Sequence, residues 1–321
     1  MKLTTLAAGI AGACTIAAAA PAFADYPNKP ITMVVPFSPG GNLDITARII
    51  APAMEKSLNA RIVVVNRPGA GGIIGANQVA RAAPDGYTIL VTTPNAIAVA
   101  PFMTPTDYKP EDFQSVGMIA KTPLVIDVAS GSKFSSVQDL IKQACDNPGK
   151  MTLGHSGIGT TNYVAMIRLQ QVTKCTFNPI AYKGSAPALV DLAGGQIDLV
   201  IDQLSSSANL INGGKLKALA VMTHQPVSAL KGVTTLEEAG IKGLDESTST
   251  GLLLPKGTPE EVITTLNEAV KKAVDDETVK KAMENIGSTA ISSEPAAFTA
   301  LISNETKMAR ELDQAGKLKT K

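Results

Sequence analysis

Three glycine-bearing turns hold the side chains best placed for chemistry. The first is Val34-Val35-Pro36-Phe37-Ser38-Pro39-Gly40-Gly41-Asn42-Leu43-Asp44, where branched residues run through prolines and glycines straight into the helical pattern of 43–58. Ligands of open α/β sheets collect at such strand ends, where free helix N–H groups and the helix dipole favour an anion. Gly40 and Gly41 let the backbone approach closely, Ser38 and Asn42 add donors, and Phe37 and Pro39 frame them. Asp44 would repel an anion if it pointed inward; as a first-turn acid it suits capping better. A tight turn without a ligand accounts for the stretch equally well.

The second turn, Asn66-Arg67-Pro68-Gly69-Ala70-Gly71-Gly72-Ile73-Ile74-Gly75, imitates the G-x-G-x-x-G dinucleotide fingerprint but places its last glycine one residue late. The acidic residue expected about twenty positions on is missing, since Thr92-Thr93-Pro94 stands there, so a nucleotide is rejected. Arg67 is read as half of a structural salt bridge. The third turn, Gly154-His155-Ser156-Gly157-Ile158-Gly159-Thr160-Thr161-Asn162, hints at a G-x-S-x-G hydrolase elbow, again with the glycine one place late. His155 and His224 are the only histidines, and His155 is poorly placed to serve as base for its neighbour Ser156. Two histidines and distant cysteines give no zinc spacing, so neither metal nor other cofactor is expected. A helix start rich in Ser, Thr and Gly suits a carboxylate instead, with N-capping by Thr160 or Gly159 as the plain alternative. His155 could donate to a ligand, and His224 reads as a surface residue. Further polar turns at 92–95, 182–185 and 202–205 add Thr92, Asn95, Tyr182, Lys183 and Asp202 as candidates for one shared cleft.

These turns need a scaffold, and the chain supplies one of alternating strands and helices. Strands are expected at 31–35, 61–65 and 87–91 with helices at 43–58 and 73–82. A second set places strands at 151–153, 176–181, 197–201 and 216–222 with helices at 160–173 and 185–193. Apolar runs separated by helices imply an α/β fold with mainly parallel sheets and right-handed crossovers. Extended runs at 116–129 and 247–254 look like two crossings between lobes, a hinged design. The expected division is lobe 1 at 25–122 and 252–321 and lobe 2 at 123–251. Thr258, Pro259 and Glu261 read as N-cap, first helical residue and capping box of a helix with Val262, Leu266, Ala269, Val270 and Ala273 on one face. A last helix is expected at 295–314.

Residues 1–24 read as a cleavable signal peptide: Lys2, an apolar run and Ala22-Phe23-Ala24 before Asp25. Cys14 lacks the leucine of a good lipobox. Without Lys2 the chain carries 28 basic and 28 acidic side chains, no footprint for nucleic acid or an anionic membrane. Aromatics are 4% with no Trp, which disfavours a sugar that would stack on rings. In an oxidising compartment Cys145 and Cys175, near the ends of successive helices, are expected to pair.

The motifs together resemble the extracytoplasmic solute receptors of the tripartite tricarboxylate transporter family, the Bug receptors. The resemblance rests on Tyr26-Pro27-Asn28-Lys29-Pro30-Ile31, Val35-Pro36-Phe37-Ser38-Pro39-Gly40-Gly41 with Asp44, Arg67-Pro68-Gly69-Ala70-Gly71-Gly72 and Pro84-Asp85-Gly86-Tyr87-Thr88. Tyr182-Lys183-Gly184-Ser185-Ala186-Pro187-Ala188 and Asp191-Leu192-Ala193-Gly194-Gly195-Gln196-Ile197-Asp198 extend it. It implies a type II periplasmic-binding fold closing like a flytrap on a small organic carboxylate. The first turn would hold one end of the ligand, and 154–162 would hold a carboxylate. His155 stands early in the third turn, and Asn162-Tyr163 replaces the family's later histidine region. With few arginines available, a mono- or dicarboxylate, including an aromatic one, fits better than a tricarboxylate.

The expected function is a periplasmic receptor, not an enzyme, working as a monomer and delivering its ligand to integral membrane transporter subunits. The ligand-binding candidates are Phe37, Ser38, Pro39, Gly40, Gly41, Asn42, Asp44, Thr92, Asn95, His155, Ser156, Gly157, Gly159, Thr160, Thr161, Asn162, Tyr182, Lys183 and Asp202. The competing readings are an exported serine hydrolase using Ser156 and a ligand sensor feeding a two-component system.

Overall fold

The computed structural model describes residues 26–316 and Leu318; the expected signal peptide with its Cys14, and Asp25, lie outside the described residues. The first half of the fold runs β1 (Ile31–Val35), α1 (Asn42–Leu58), β2 (Ile62–Asn66), α2 (Ile73–Ala80), β3 (Thr88–Thr92), α3 (Pro94–Ala98) and α4 (Ala100–Met103). The long strand β4 (Phe113–Ala129) then leads to α5 (Val137–Asp146), β5 (Thr152–His155), α6 (Thr161–Thr173), β6 (Asn178–Ala181), α7 (Ser185–Ala193), β7 (Leu199–Gln203), α8 (Leu204–Asn212) and β8 (Leu216–Val221). Strand β9 (Ser247–Pro255) returns to α9 (Glu260–Asp275), α10 (Glu277–Asn285), β10 (Thr289–Ala290) and α11 (Pro295–Gln314).

The strand order is β2-β1-β3-β9-β4-β7-β5-β6, with β8 and β10 also paired to β4. Pairing is parallel among β2, β1 and β3 and among β7, β5 and β6. It is antiparallel wherever β4 or β9 takes part, so the expected mainly parallel sheet gives way to a mixed one. The reason is that these two strands are the crossings. Residues 113–123 of β4 pair with β9, whereas Leu124–Asp127 pair with β7.

Each half buries its central strands on both faces, which is why those strands read as continuous apolar runs. Met33, Ile89, Leu252 and Leu254 face α1 and α9, where they meet Ile50, Met54, Leu266 and Val270. Their neighbours Val34, Leu90 and Leu253 face the other way, toward Ile97 and Phe298. Leu124, Ile126, Leu153, Leu199 and Ile201 do the same for the second half, against Leu140, Met166 and Leu169. Cys145 and Cys175 are joined as a disulfide that ties α5 to the segment before β6.

The capping box expected at 258–261 does not form. Helix α9 starts one residue later, with Pro259 as N-cap and no side-chain cap, and the Thr258 hydroxyl donates back to the Pro255 carbonyl at 2.8 Å. The loop leaving β9 offers that acceptor first. The salt bridge expected for Arg67 is also missing: Arg67 is exposed and joins no ion pair among the described residues. His224 lies at the surface, paired with Glu237 at 2.8 Å. No described helix is long and apolar enough to cross a membrane.

Candidate functional site

A cavity of about 30 Å³ lies between the two halves, lined by Phe37, Gly41, Asn42, Leu43, Thr93, Ser156, Thr160, Thr161, Asn162, Ser185 and Gln203. Nearly all of these residues begin a helix. Gly41 is the N-cap of α1 and Asn42 and Leu43 open it; Thr93 caps α3; Thr160 caps α6 ahead of Thr161 and Asn162; Ser185 opens α7; Gln203 caps α8. First-turn N–H groups have no intrahelical acceptor, and each helix start carries roughly half a positive charge. None of the lining residues is charged, so the site's positive potential comes from backbone alone.

Glycines let the halves meet around it. A Cβ added to Gly157 would stand 2.7 Å from the Gly71 Cα, and one added to Gly159 would stand 2.8 Å from the Ala100 Cα. Both glycines have positive φ, 123° and 81°. Across the rim the Ser38 N–H and hydroxyl both donate to the Lys183 carbonyl at 3.1 Å. The Thr161 hydroxyl donates to Asn95 at 3.1 Å, and Asn42 Oδ1 accepts from Ser205 at 2.7 Å.

Behind the wall of the second half sits Asp202, fully buried. Its Oδ1 accepts from the Ser185 hydroxyl at 2.6 Å and from the Asn162 amide at 2.8 Å, while Oδ2 has no partner among the described residues. Burial pushes its carboxyl up to about 6, against the hydrogen bonds from Ser185 and Asn162 that lower it. Asp127 on β4 is also sealed from solvent, and neither oxygen has a hydrogen-bond partner among the described residues. Burial and then the nearby Asp202 charge push it up to about 8, although Ser207 beside it acts the other way. Asp44 behaves differently. It lies just below the surface and accepts from the Gly40 N–H at 2.9 Å, Arg48 Nε at 3.0 Å and Asn66 at 2.9 Å. Burial raises its carboxyl, but the bonds from Arg48, Gly40 and Asn66 outweigh burial and hold it below the usual carboxylate range.

Of the residues singled out in the sequence, Phe37, Gly41, Asn42, Ser156, Thr160, Thr161 and Asn162 line the cavity. The others stand behind or beside it. Ser38 and Lys183 join the halves at the rim, and the Gly40 N–H is spent on Asp44, with Pro39 just before it in the turn. Asp44 braces the turn from outside the cavity, Thr92 bonds the Thr93 carbonyl, and Asn95 bonds Glu305 and Thr161. The Tyr182 hydroxyl donates to Asp191. His155 is buried; its Nδ1 accepts from the Gly157 N–H at 3.1 Å and its ring lies 5.0 Å from that of Tyr163. Burial holds its pKa low, with the Gly157 bond opposing, so it braces the turn as neutral imidazole. The Ser156 hydroxyl meets the Ser185 hydroxyl at 3.2 Å, and no histidine.

Thr93, Ser185 and Gln203 are cavity residues the sequence reading passed over in favour of neighbours. All three stand at helix starts that follow strand ends, Thr93 and Gln203 as N-caps and Ser185 as the first helical residue. Leu43 carries no such signal.

The sequence profile of the tripartite tricarboxylate transporter family receptor matches residues 46–318. The Protein BugT of Bordetella pertussis (strain Tohama I) is 35% identical over 295 residues, covering 91% of this chain and 90% of BugT. The chain belongs to this receptor family. Among solved structures, the receptor resembles R. palustris Rpa4515 with adipate, at 31% identity and a TM-score of 0.86, covering 91% of this chain and 98% of that one. It also resembles MatC from Rhodopseudomonas palustris with bound malate, at 28% identity and a TM-score of 0.85, covering 90% of this chain and all of that one (100%). Among the described residues of this receptor, no group of His, Cys, Asp or Glu is placed to hold a metal ion.

Proposed function

We propose that this receptor captures a small organic mono- or dicarboxylate in the periplasm and presents it to the integral membrane subunits of its transporter. The observation that carries this reading is the convergence of helix starts, α1 and α3 from one half and α6, α7 and α8 from the other, on one cavity without a charged side chain. Such a wall binds an anion through N–H groups and dipoles. It suits one or two carboxylates better than three, because no arginine or lysine lines it to offset further charge. The malate and adipate carried by the two structural relatives belong to the same chemical class.

The cavity holds little more than water at its present volume, since a water needs roughly 10–15 Å³ measured this way. A dicarboxylate therefore enters only if the walls part. The halves act as lobes that hinge where β4 changes partners, near residues 123–124, and where β9 pairs Ser247 with Pro123. Closure then excludes water and strengthens each hydrogen bond to the ligand.

A thermal-shift screen of the refolded mature protein against malate, adipate, citrate, benzoate, nicotinate and glutamate tests this. Ligand at a hundred times its dissociation constant adds about 2.7 kcal/mol of stability. A raised midpoint with mono- or dicarboxylates and none with citrate is expected. A panel without any shift would overturn the carboxylate reading.

A further inference from the structure

We propose, building on the carboxylate-binding reading, that Asp202 is a specificity-determining residue: it takes up a proton as a carboxylate binds, and so turns Ser156 from acceptor to donor. Nearly all side-chain protons on this wall are already spent. Thr160 gives its hydroxyl proton to the Gly157 carbonyl at 2.7 Å, and Thr161 gives its own to Asn95 at 3.1 Å. The Asn162 amide is spent on the Ile201 carbonyl and on Asp202, both at 2.8 Å. The Gln203 amide is spent on Asn162 and Thr248. What remains for a ligand from the side chains of this wall is the pair Ser156 and Ser185.

That pair is wired to Asp202. A hydroxyl has one proton to give and lone pairs to receive. When Asp202 is ionised, Ser185 must donate to it across 2.6 Å, so the 3.2 Å contact with Ser156 is made by the Ser156 proton. Ser156 then shows the cavity lone pairs only, which repel a carboxylate. When Asp202 is protonated it donates to Ser185, Ser185 donates to Ser156, and the Ser156 proton is free for the ligand. A carboxylate thus selects the protonated acid; the proton comes from solvent and rests on the Asp202 carboxyl. A ligand with a hydroxyl or ammonium at this end selects the ionised one.

The surroundings permit the switch. Burial already brings Asp202 to about 6. Strand β4 contributes Asp127, another acid, and β5 contributes His155, occupied by Gly157 and held neutral. Helix α6 contributes Arg168, which is paired with Glu246 at 2.9 Å; α7 contributes Asp191, bonded to Tyr182; α8 has no charged residue. Glu305 on α11 is bonded to Asn95. None of these supplies a cation to hold Asp202 ionised.

Isothermal titration with adipate and with malate between pH 6.5 and 8.5, in two buffers of different ionisation enthalpy, tests the proposal. The expected result is a dissociation constant that rises about tenfold per pH unit and an uptake approaching one proton per ligand at pH 8. Ser185→Ala breaks the relay and Asp202→Asn cannot ionise, so each should bind with little pH dependence and no uptake. Asp127→Asn should keep both. Wild-type binding with a flat profile and no uptake, or undiminished uptake in Ser185→Ala, overturns the proposal and leaves the receptor standing. Failure of every acid to bind wild type overturns the receptor reading and this proposal with it.

Discussion

Asp44 and Asp202 stand behind opposite walls of the same cleft, and the fold treats them in opposite ways. Asp44 is given Arg48, Asn66 and the Gly40 N–H, and it stays ionised. Asp202 is given a serine and an asparagine, has one oxygen without a partner, and is pushed toward its neutral form. The difference is a matter of what each acid is for. On the first wall the carboxylate pins a glycine turn so that the start of α1 points into the cleft with fixed polarity. On the second wall the carboxyl sits at the end of a hydroxyl relay whose polarity can reverse. One wall is rigid electrostatics and the other is adjustable.

Substitution of Asp44 carries the largest expected effect. Asp44→Ala removes the acceptor for three donors at once and should cost about 3 kcal/mol of stability by urea unfolding. A change under about 0.5 kcal/mol would mean that the turn does not depend on it.

The buried acids of the second half predict the opposite sensitivity, to pH. Asp127 has a folded pKa raised to about 8, so between pH 6.5 and 8 the native state holds a proton that the unfolded chain has lost. Stability should therefore fall as pH rises through this window, by about 2 kcal/mol, and Asp127→Asn should flatten the profile. Below that window neutral His155 acts in the reverse direction, since acid charges it only in the unfolded chain, so the alkaline side is the clean test. A wild-type profile that is flat from pH 6.5 to 8 contradicts the unpaired acid.

Ser156→Ala should weaken carboxylate binding several-fold, about 1 kcal/mol, with an unchanged melting midpoint. Equal affinity in titration would remove Ser156 from the second wall's donors. The smallest effect is expected at Arg48, whose side chain is half exposed. Arg48→Ala should change stability by under about 1 kcal/mol, because an exposed partner is screened by water. A larger loss would show that the first wall depends on the ion pair more than on the backbone bond to Gly40.

Much of this architecture is legible in the sequence because local rules fix it. The first strand at 31–35, the helix at 185–193 and the last helix at 295–314 fall where the apolar periodicity and turn residues place them. Thr160 caps α6 as its position ahead of the helical run suggests. The site was legible as a set of turns and less so residue by residue. The sequence points to Thr92 where Thr93 lines the cavity, and to Asp202 where Gln203 does. Successive strand residues point to opposite faces, so an error of one position exchanges wall for core.

Strands that end in glycine and hydroxyl turns leading into helices follow from local order along the chain, because backbone sterics and apolar periodicity act over a few residues. The composition also sets a nearly balanced charge, +1 over the full chain, which leaves anion binding to backbone dipoles. Folding in three dimensions settles which turns face each other, presses Gly157 on Gly71 and sets Asp202 beneath Ser185 without a cation. Those outcomes depend on pairings across the chain, such as Ser38 with Lys183 and Asn42 with Ser205. Packing of the whole sheet sets such pairings, and with them the burial that moves a carboxyl from its ordinary pKa.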